Sequence, residues 1–412
     1  MHFVSDAIEA MDLSAFDARY GNEGPGNQAF DPRMMLKVLV YAYATGTFSS
    51  RKIAAKLHED VAFRLLAADN FPSHRTIADF RHRHLAEFRE LFVQLVQMAR
   101  ESGLVKLGTV AVDGSKVRAN ASKRKAMTYK RMKQEEKRLR QEIRELMERA
   151  GKTDAVEDRR YGKDRRGDAL PKELADRQQR LATIQAAKKR LEARQREADE
   201  KNGREPGDRD RTGKPGGPFK RAFGEPKENA QDNFTDPESR IMKSSTVGFQ
   251  QAYNVQTAVD GEDRLIVATA VTQSASDVQQ LVPMVEAVRA NTGTRPGSLL
   301  GDAGYRSEDN LQFLEDEGID AYIAFGRENK RAKEPDPEHE ATVRMFRKMK
   351  TKRARDRYRK RKHLAEPPFG WIKSVLGFDR FSLRGLVKAT AEWDLVCFAT
   401  NLRRLNGKMA WT

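Results

Sequence analysis

The chain has 412 residues, enough for two or three domains with cores of their own, so its size imposes no disulfide or metal staple. Lys and Arg outnumber Asp and Glu by 77 to 60, and the formal charge of +17 points to an anionic partner, nucleic acid ahead of an anionic membrane surface. The single cysteine, Cys397, excludes an intramolecular disulfide and a cysteine-built zinc site, and no apolar run approaches the roughly 18 residues of a membrane helix. The start, Met1 to Asp6, lacks the basic-then-apolar build of a secretion signal, so the expected location is the cytoplasm.

Residues 1–105 read as all-α. Pro32 opens a helix whose Leu36, Leu39, Val40 and Tyr43 recur at helical spacing until Gly46 stops it, and Ser49 is placed to cap the next. Ser73 opens another, in which Arg75, Arg81, His82, Arg83 and His84 mix with Phe80 and Leu85. Exposed on a helix, Arg75 and Arg81 would suit phosphates or a groove; the alternative is a solvated basic face.

Residues 106–122 bring the first distinctive stretch. The β-branched run Thr109 to Val112 ends in Asp113 and Gly114, which reads as a buried strand presenting one carboxylate, with an Asp-Gly hairpin turn as the alternative. Residues 123–200 are dominated by charge, with Met132, Leu139 and Leu146, then Leu174, Leu181, Ile184 and Leu191, at heptad-like intervals about a polar break at Gly162 to Gly167. An inserted antiparallel helical hairpin, a coiled coil, is predicted. Residues 201–246, with the run Gly213 to Pro218, read as a flexible basic linker.

From Val247 the pattern alternates as in strands, with a hairpin turn at Asp260 to Asp263. Ser276 and Asp277 start a helix, and a second apolar run, Ser298 to Gly301, ends in Asp302. Further on, Glu366 begins the stretch Glu366-Pro367-Pro368-Phe369. Asp236, Asp260 and Asp277 are rival acids, for which linker, turn and helix-cap roles are sufficient. The element order, the insertion apart, matches an RNase-H-like mixed-sheet α/β core over 247–412 joined by the first strand. In that fold the first strand, the fourth strand and a late helix bring three carboxylates together.

With Asp31-Pro32-Arg33, Ser49 to Ile53, Val112 to Ser122, Thr235 to Arg240, Ala252 to Gln256, Gly301 to Tyr305 and Asn401 to Arg404, the chain resembles the DDE transposases of bacterial insertion sequences. The branch it resembles has a helical N-terminal domain and a long insertion. Tyr358, Arg361, Glu366 and Lys373 resemble that family's Tyr, Arg, Glu, Lys signature, with four residues instead of three between Arg361 and Glu366. Pro367 and Pro368 place Glu366 at a helix entrance. The resemblance implies that Asp113, Asp302 and Glu366 are catalytic and hold two divalent ions, Mg²⁺ or Mn²⁺, and that Tyr358, Arg361 and Lys373 position phosphates. It further implies binding of terminal inverted repeats, strand cleavage and transfer to target DNA, a homodimer on DNA, no membrane, and a nucleoid-associated bacterial protein. A catalytically silent DNA-binding descendant and another RNase-H-like nuclease are the alternatives.

Overall fold

The computed structural model describes residues 1–20, 29–161, 172–207, 221–244, 248–326 and 334–409, with the side chains of 149–161 and 409 excepted. The predicted break at Gly162 to Gly167, the linker run Gly213 to Pro218 and Val247 lie outside them. The strands are β1 (Val110–Arg118), β2 (Ala126–Thr128), β3 (Gln231–Asn233), β4 (Arg240–Ser244), β5 (Gly248–Asp260), β6 (Ile266–Thr272), β7 (Ser298–Gly301) and β8 (Asp320–Ile323). The chain divides into two units, Met1–Asn120 with Met242–Thr412, and Ala121–Ile241.

The first unit is built on a six-stranded mixed sheet of order β4-β5-β1-β7-β8, with β6 also paired to β5. β5 runs antiparallel to β1 and β6, whereas β1, β7 and β8 are mutually parallel. Ala111, Leu300 and Tyr322 are register partners, so the two-residue period of a strand sends all three to one face. That face is covered by the helix Lys352–Leu364, through Ala354, Leu364 and the flank of Tyr358.

The N-terminal helices belong to this same unit. Pro32–Ala44 starts as predicted, with Asp31 accepting from the Arg33 amide at 2.8 Å, and packs on the long C-terminal helix Leu386–Met409. Tyr43 donates to Glu392 at 3.1 Å, Arg81 donates to Tyr43 at 2.9 Å, and Arg403 donates to the Ala44 carbonyl at 2.8 Å. Gly46 ends the helix at φ +79°, and a Cβ there would lie 2.7 Å from the Leu376 carbonyl oxygen, so only glycine fits.

Asp394 of the C-terminal helix is 1% exposed, and burial pushes its carboxyl up to about 6 despite Arg89 at 3.3 Å and a hydrogen bond from Thr269. A carboxyl whose folded value exceeds its unfolded one binds its proton better in the folded chain. Its contribution to stability is therefore present below about pH 3.8 and lost as pH rises through about 6, by roughly 3 kcal/mol for two units. Asp394→Asn is expected to flatten the fall of Tm between pH 4 and 7; an unchanged slope in thermal melts would refute this.

In the second unit the helices Tyr129–Tyr161 and Lys172–Lys201 pack antiparallel, since Glu142 meets Arg177, Glu136 meets Lys188 and Tyr129 meets Glu192. Met132, Leu139, Ile184, Ala187 and Leu191 form their seam. The described parts of the expected linker, 201–207 and 221–244, hold more structure than their composition suggests. β3 pairs with β2, Asp232 is buried between Arg190 at 2.6 Å and Arg194 at 2.8 Å, and Arg204 pairs with Asp199 at 3.1 Å. Asp232 and Arg204 are thus held by side chains of Lys172–Lys201, and Glu225 and Glu228 pair with Lys133 and Lys130 of Tyr129–Tyr161.

Candidate active site

Strand register brings the two aspartates together. β1 and β7 are paired at Val110 with Leu299 and at Ala111 with Leu300, a constant offset of 189 residues, which is also the separation of Asp113 from Asp302. Asp113 follows Ala111 by two residues within β1, and Asp302 follows Leu300 by two, one residue past the end of β7, so both continue the side of Ala111 and Leu300. The Asp113 Oδ1 accepts from the Gly114 amide at 3.0 Å, and Asp302 caps the short 3₁₀ turn Ala303–Tyr305 by accepting from the Gly304 amide at 2.8 Å.

A cation stands between them. On the helix Lys352–Leu364, Ala354, Tyr358 and Arg361 fall three and four residues apart, so the side that packs on the sheet also delivers Arg361. Its Nη2 lies 3.0 Å from Asp113 Oδ1 and 3.9 Å from Asp302 Oδ2. Burial nevertheless pushes the Asp113 carboxyl up to about 6; Arg361 opposes this and the charge of Asp302 adds to it. Lys373 sits in a π-helical turn, Trp371–Val375, and reaches back to β1, donating to Ser115 Oγ at 2.6 Å and to the Lys116 carbonyl at 2.9 Å. Burial, with the Lys116 ammonium nearby, holds Lys373 below the usual lysine range. Tyr358 is half-buried against the sheet.

Glu366 begins the short helix Glu366–Gly370, with Pro367 and Pro368 in its first turn, and is exposed. Its charge acts on Arg361 together with those of Asp113 and Asp302, although among the described residues no three acidic, histidine or cysteine side chains approach closely enough to hold an ion. Arg75 is exposed, as expected. Arg81 is not, being 5% exposed with its guanidinium bonded to Tyr43, the Phe48 carbonyl, Ser50 and Ser382. The reading of Arg81 as a groove-facing base is thus corrected. Arg81 follows Ile77 by four residues and so shares its buried side.

Asp277 does not fill the expected capping role. It precedes the 3₁₀ turn Val278–Gln280, but its side chain makes no capping bond. Its Oδ1 instead accepts from Asn254 at 2.6 Å, Gln256 at 2.8 Å and Lys116 at 3.4 Å, and Gln256 in turn accepts from Tyr305. A Cβ on Gly114 would fall 2.4 Å from Gln256 Nε2 and 2.7 Å from Asp277 Oδ1, so Asp113 is followed by glycine because this polar strut passes beneath it. Asp260 keeps its turn role, accepting from the Leu107 and Glu262 amides, and Asp236 lies in a turn in the second unit.

Residues 1–83 match a family model described as Transposase domain (DUF772), and residues 234–402 match one described as Transposase DDE domain. The two transposase models together cover more than half of the chain. The chain belongs to the DDE transposases. No curated protein and no solved structure matches it. Within this transposase the matched DDE segment carries Asp302, Tyr358, Arg361, Glu366 and Lys373, whereas β1 with Asp113 lies between the two matched segments. No helix among the described residues is long and apolar enough to cross a membrane.

Proposed function

We propose that this transposase binds the terminal inverted repeats of its element, hydrolyses a strand at each end and joins the freed 3′-hydroxyl to target DNA. The observation that carries the reading is the pair Asp113 and Asp302, one within β1 and the other just past the end of the parallel strand β7, both paired with Arg361. The sheet supports it further, because three antiparallel strands continued by two parallel ones, β6-β5-β1-β7-β8, is the order of an RNase-H-like core.

The donor set suits a hard cation. Two carboxylates offer only oxygen, and Asp113 is buried with a single guanidinium to compensate its charge. Asp113 and Asp302, completed by Glu366 from the helix entrance, would hold two Mg²⁺ or Mn²⁺ ions. When bound, such ions stabilise the attacking and leaving oxygens of an in-line displacement. The residues of the chain do the rest. Arg361 and Lys373 hold non-bridging phosphate oxygens, and Tyr358 lies on the same helical side as Arg361 to fix the strand's path. A water oxygen bonds to phosphorus, the bond to the 3′ oxygen breaks, and that oxygen leaves as a hydroxyl; in the second reaction it attacks a target phosphorus, the bond from that phosphorus to the target's own 3′ oxygen breaks, and the displaced oxygen takes up the proton lost by the attacking hydroxyl. Two copies, one for each end, act together.

The test is strand cleavage of a duplex bearing the element's terminal repeat with Mg²⁺ or Mn²⁺. Wild type is expected to cut, and Asp302→Asn and Glu366→Gln to lose about 10²-fold or more. Binding without cutting by wild type would favour the silent DNA-binding descendant. Cutting by Glu366→Gln at the wild-type rate would remove Glu366 from the site.

A further inference from the structure

A cavity of about 640 Å³ opens in the first unit, lined by Phe48, Arg51, Arg75, Arg81, Arg380 and Phe381 among others. Its volume falls within the range of small-ligand sites. Four arginines face one carboxylate in the lining, Asp79. Arg51, Arg75 and Arg380 make no ion pair with any described residue, so their charge is available to a ligand. Arg81 supplies a rigid, buried wall, and its Nε has no partner among the described residues. The helix Ser50–Glu59 also begins here, and Ser49 at its N-cap makes no side-chain bond to the first-turn amides. Uncapped amides and guanidinium groups together favour a phosphate. Phe48, Ala78 and Phe381 add an apolar wall larger than a phosphate needs, and one that suits a nucleobase.

The geometry points to a binding site for one nucleotide unit of a DNA strand, its phosphate held by Arg51, Arg75 and Arg380 and its base set against Phe48. The assignment of the strand to DNA rests on the transposase reading. Asn120 lines the cavity and follows Asp113 by seven residues, along β1 and just past its end. At roughly 3.3 Å per residue that is about 23 Å, and at about 3.4 Å per nucleotide the unit bound lies some six or seven nucleotides from the cut.

The test titrates the full chain, without any cleavage step, with 2′-deoxyadenosine 5′-monophosphate, inorganic phosphate and a duplex of about 20 base pairs. Wild type is compared with the double variant Arg51→Ala/Arg75→Ala, which alters only exposed side chains, and with Arg380→Ala. Wild type is expected to bind the nucleotide at least about tenfold more tightly than phosphate. The double variant should lose about tenfold for nucleotide and duplex alike, with the salt slope for duplex reduced by about one, and Arg380→Ala should fall the same way. Equal binding of nucleotide and duplex by wild type and variants overturns the site. Phosphate bound as tightly as nucleotide overturns the base wall, and loss of nucleotide binding with duplex binding intact overturns the DNA assignment. Because no cut is read, failure of the cleavage assay and failure of this site are separate results.

Discussion

Replacing Asp113 by asparagine is expected to lower strand cleavage by about 10²- to 10³-fold while leaving the folded chain at least as stable at pH 7.5. Both effects come from one buried carboxyl. Its side chain is 14% exposed and burial holds its folded value at about 6, above the ordinary 3.8. The folded state therefore binds the proton more tightly than the unfolded chain. Stability from this group is fully present below about pH 3.8 and is lost as pH rises through about 6, a swing of roughly 3 kcal/mol at most. Asparagine keeps an acceptor for Arg361 and the Gly114 amide without the charge, so that loss should disappear. Thermal melts at pH 4.5 and 7.5 read the difference, and a gel assay reads the cut. Cleavage within tenfold of wild type would exclude Asp113 from the chemistry, and a lower Tm at pH 7.5 would contradict the buried-charge argument.

The second large effect is expected at Asp277. Removing its carboxylate in Asp277→Ala strands the fully buried amide of Gln256, leaves that of Asn254 with the Ser274 carbonyl as its remaining acceptor, and frees Lys116 from its partner. One buried donor left without a partner costs about 1–3 kcal/mol, and a loss of that size in denaturant unfolding is expected. Cleavage should fall about 10²-fold because Gly114, Gln256 and Tyr305 jointly fix where Asp113 and Asp302 sit. Asp277→Asn retains one acceptor oxygen and should recover most of the stability. Glu366→Gln, by contrast, should leave unfolding unchanged, since Glu366 is exposed. Full cleavage by Asp277→Ala would show that the strut does not position the aspartates.

The two aspartates were legible because an apolar run ending in an acid and a glycine occurs twice, and the fold has few ways to use that pattern. Their pairing needed more: the offset of 189 residues is a property of the β1 and β7 register, which no local pattern encodes. Arg81 was misread although its four-residue spacing from Ile77 marked the buried side; a guanidinium among basic neighbours looks solvated until its partners, at positions 43, 48, 50 and 382, are brought to it by folding. Asp277 had a subtler signal. Asn254 and Gln256 alternate within a buried strand, and two polar side chains sharing one buried face require an acceptor from elsewhere. A stretch rich in Gly, Pro and charge reads as unstructured, yet Asp232 and Arg204 show that charge inside such a stretch is held when complementary side chains lie on a helix beside it.

The close approach of Gly46 to the Leu376 carbonyl, with the bonds from Arg81 to Ser382 and from Tyr43 to Glu392, welds the first helices to the segments flanking Lys373 and Arg380. On the proposed function, these contacts tie the part that would grip an element's end to the part that would cut it, and the two would act as a ruler of fixed length. One base pair inserted between gripped and cut positions would then move the break by one nucleotide instead of being absorbed, so the boundary of the mobile segment would be measured by the protein and need not be spelled out at the break itself.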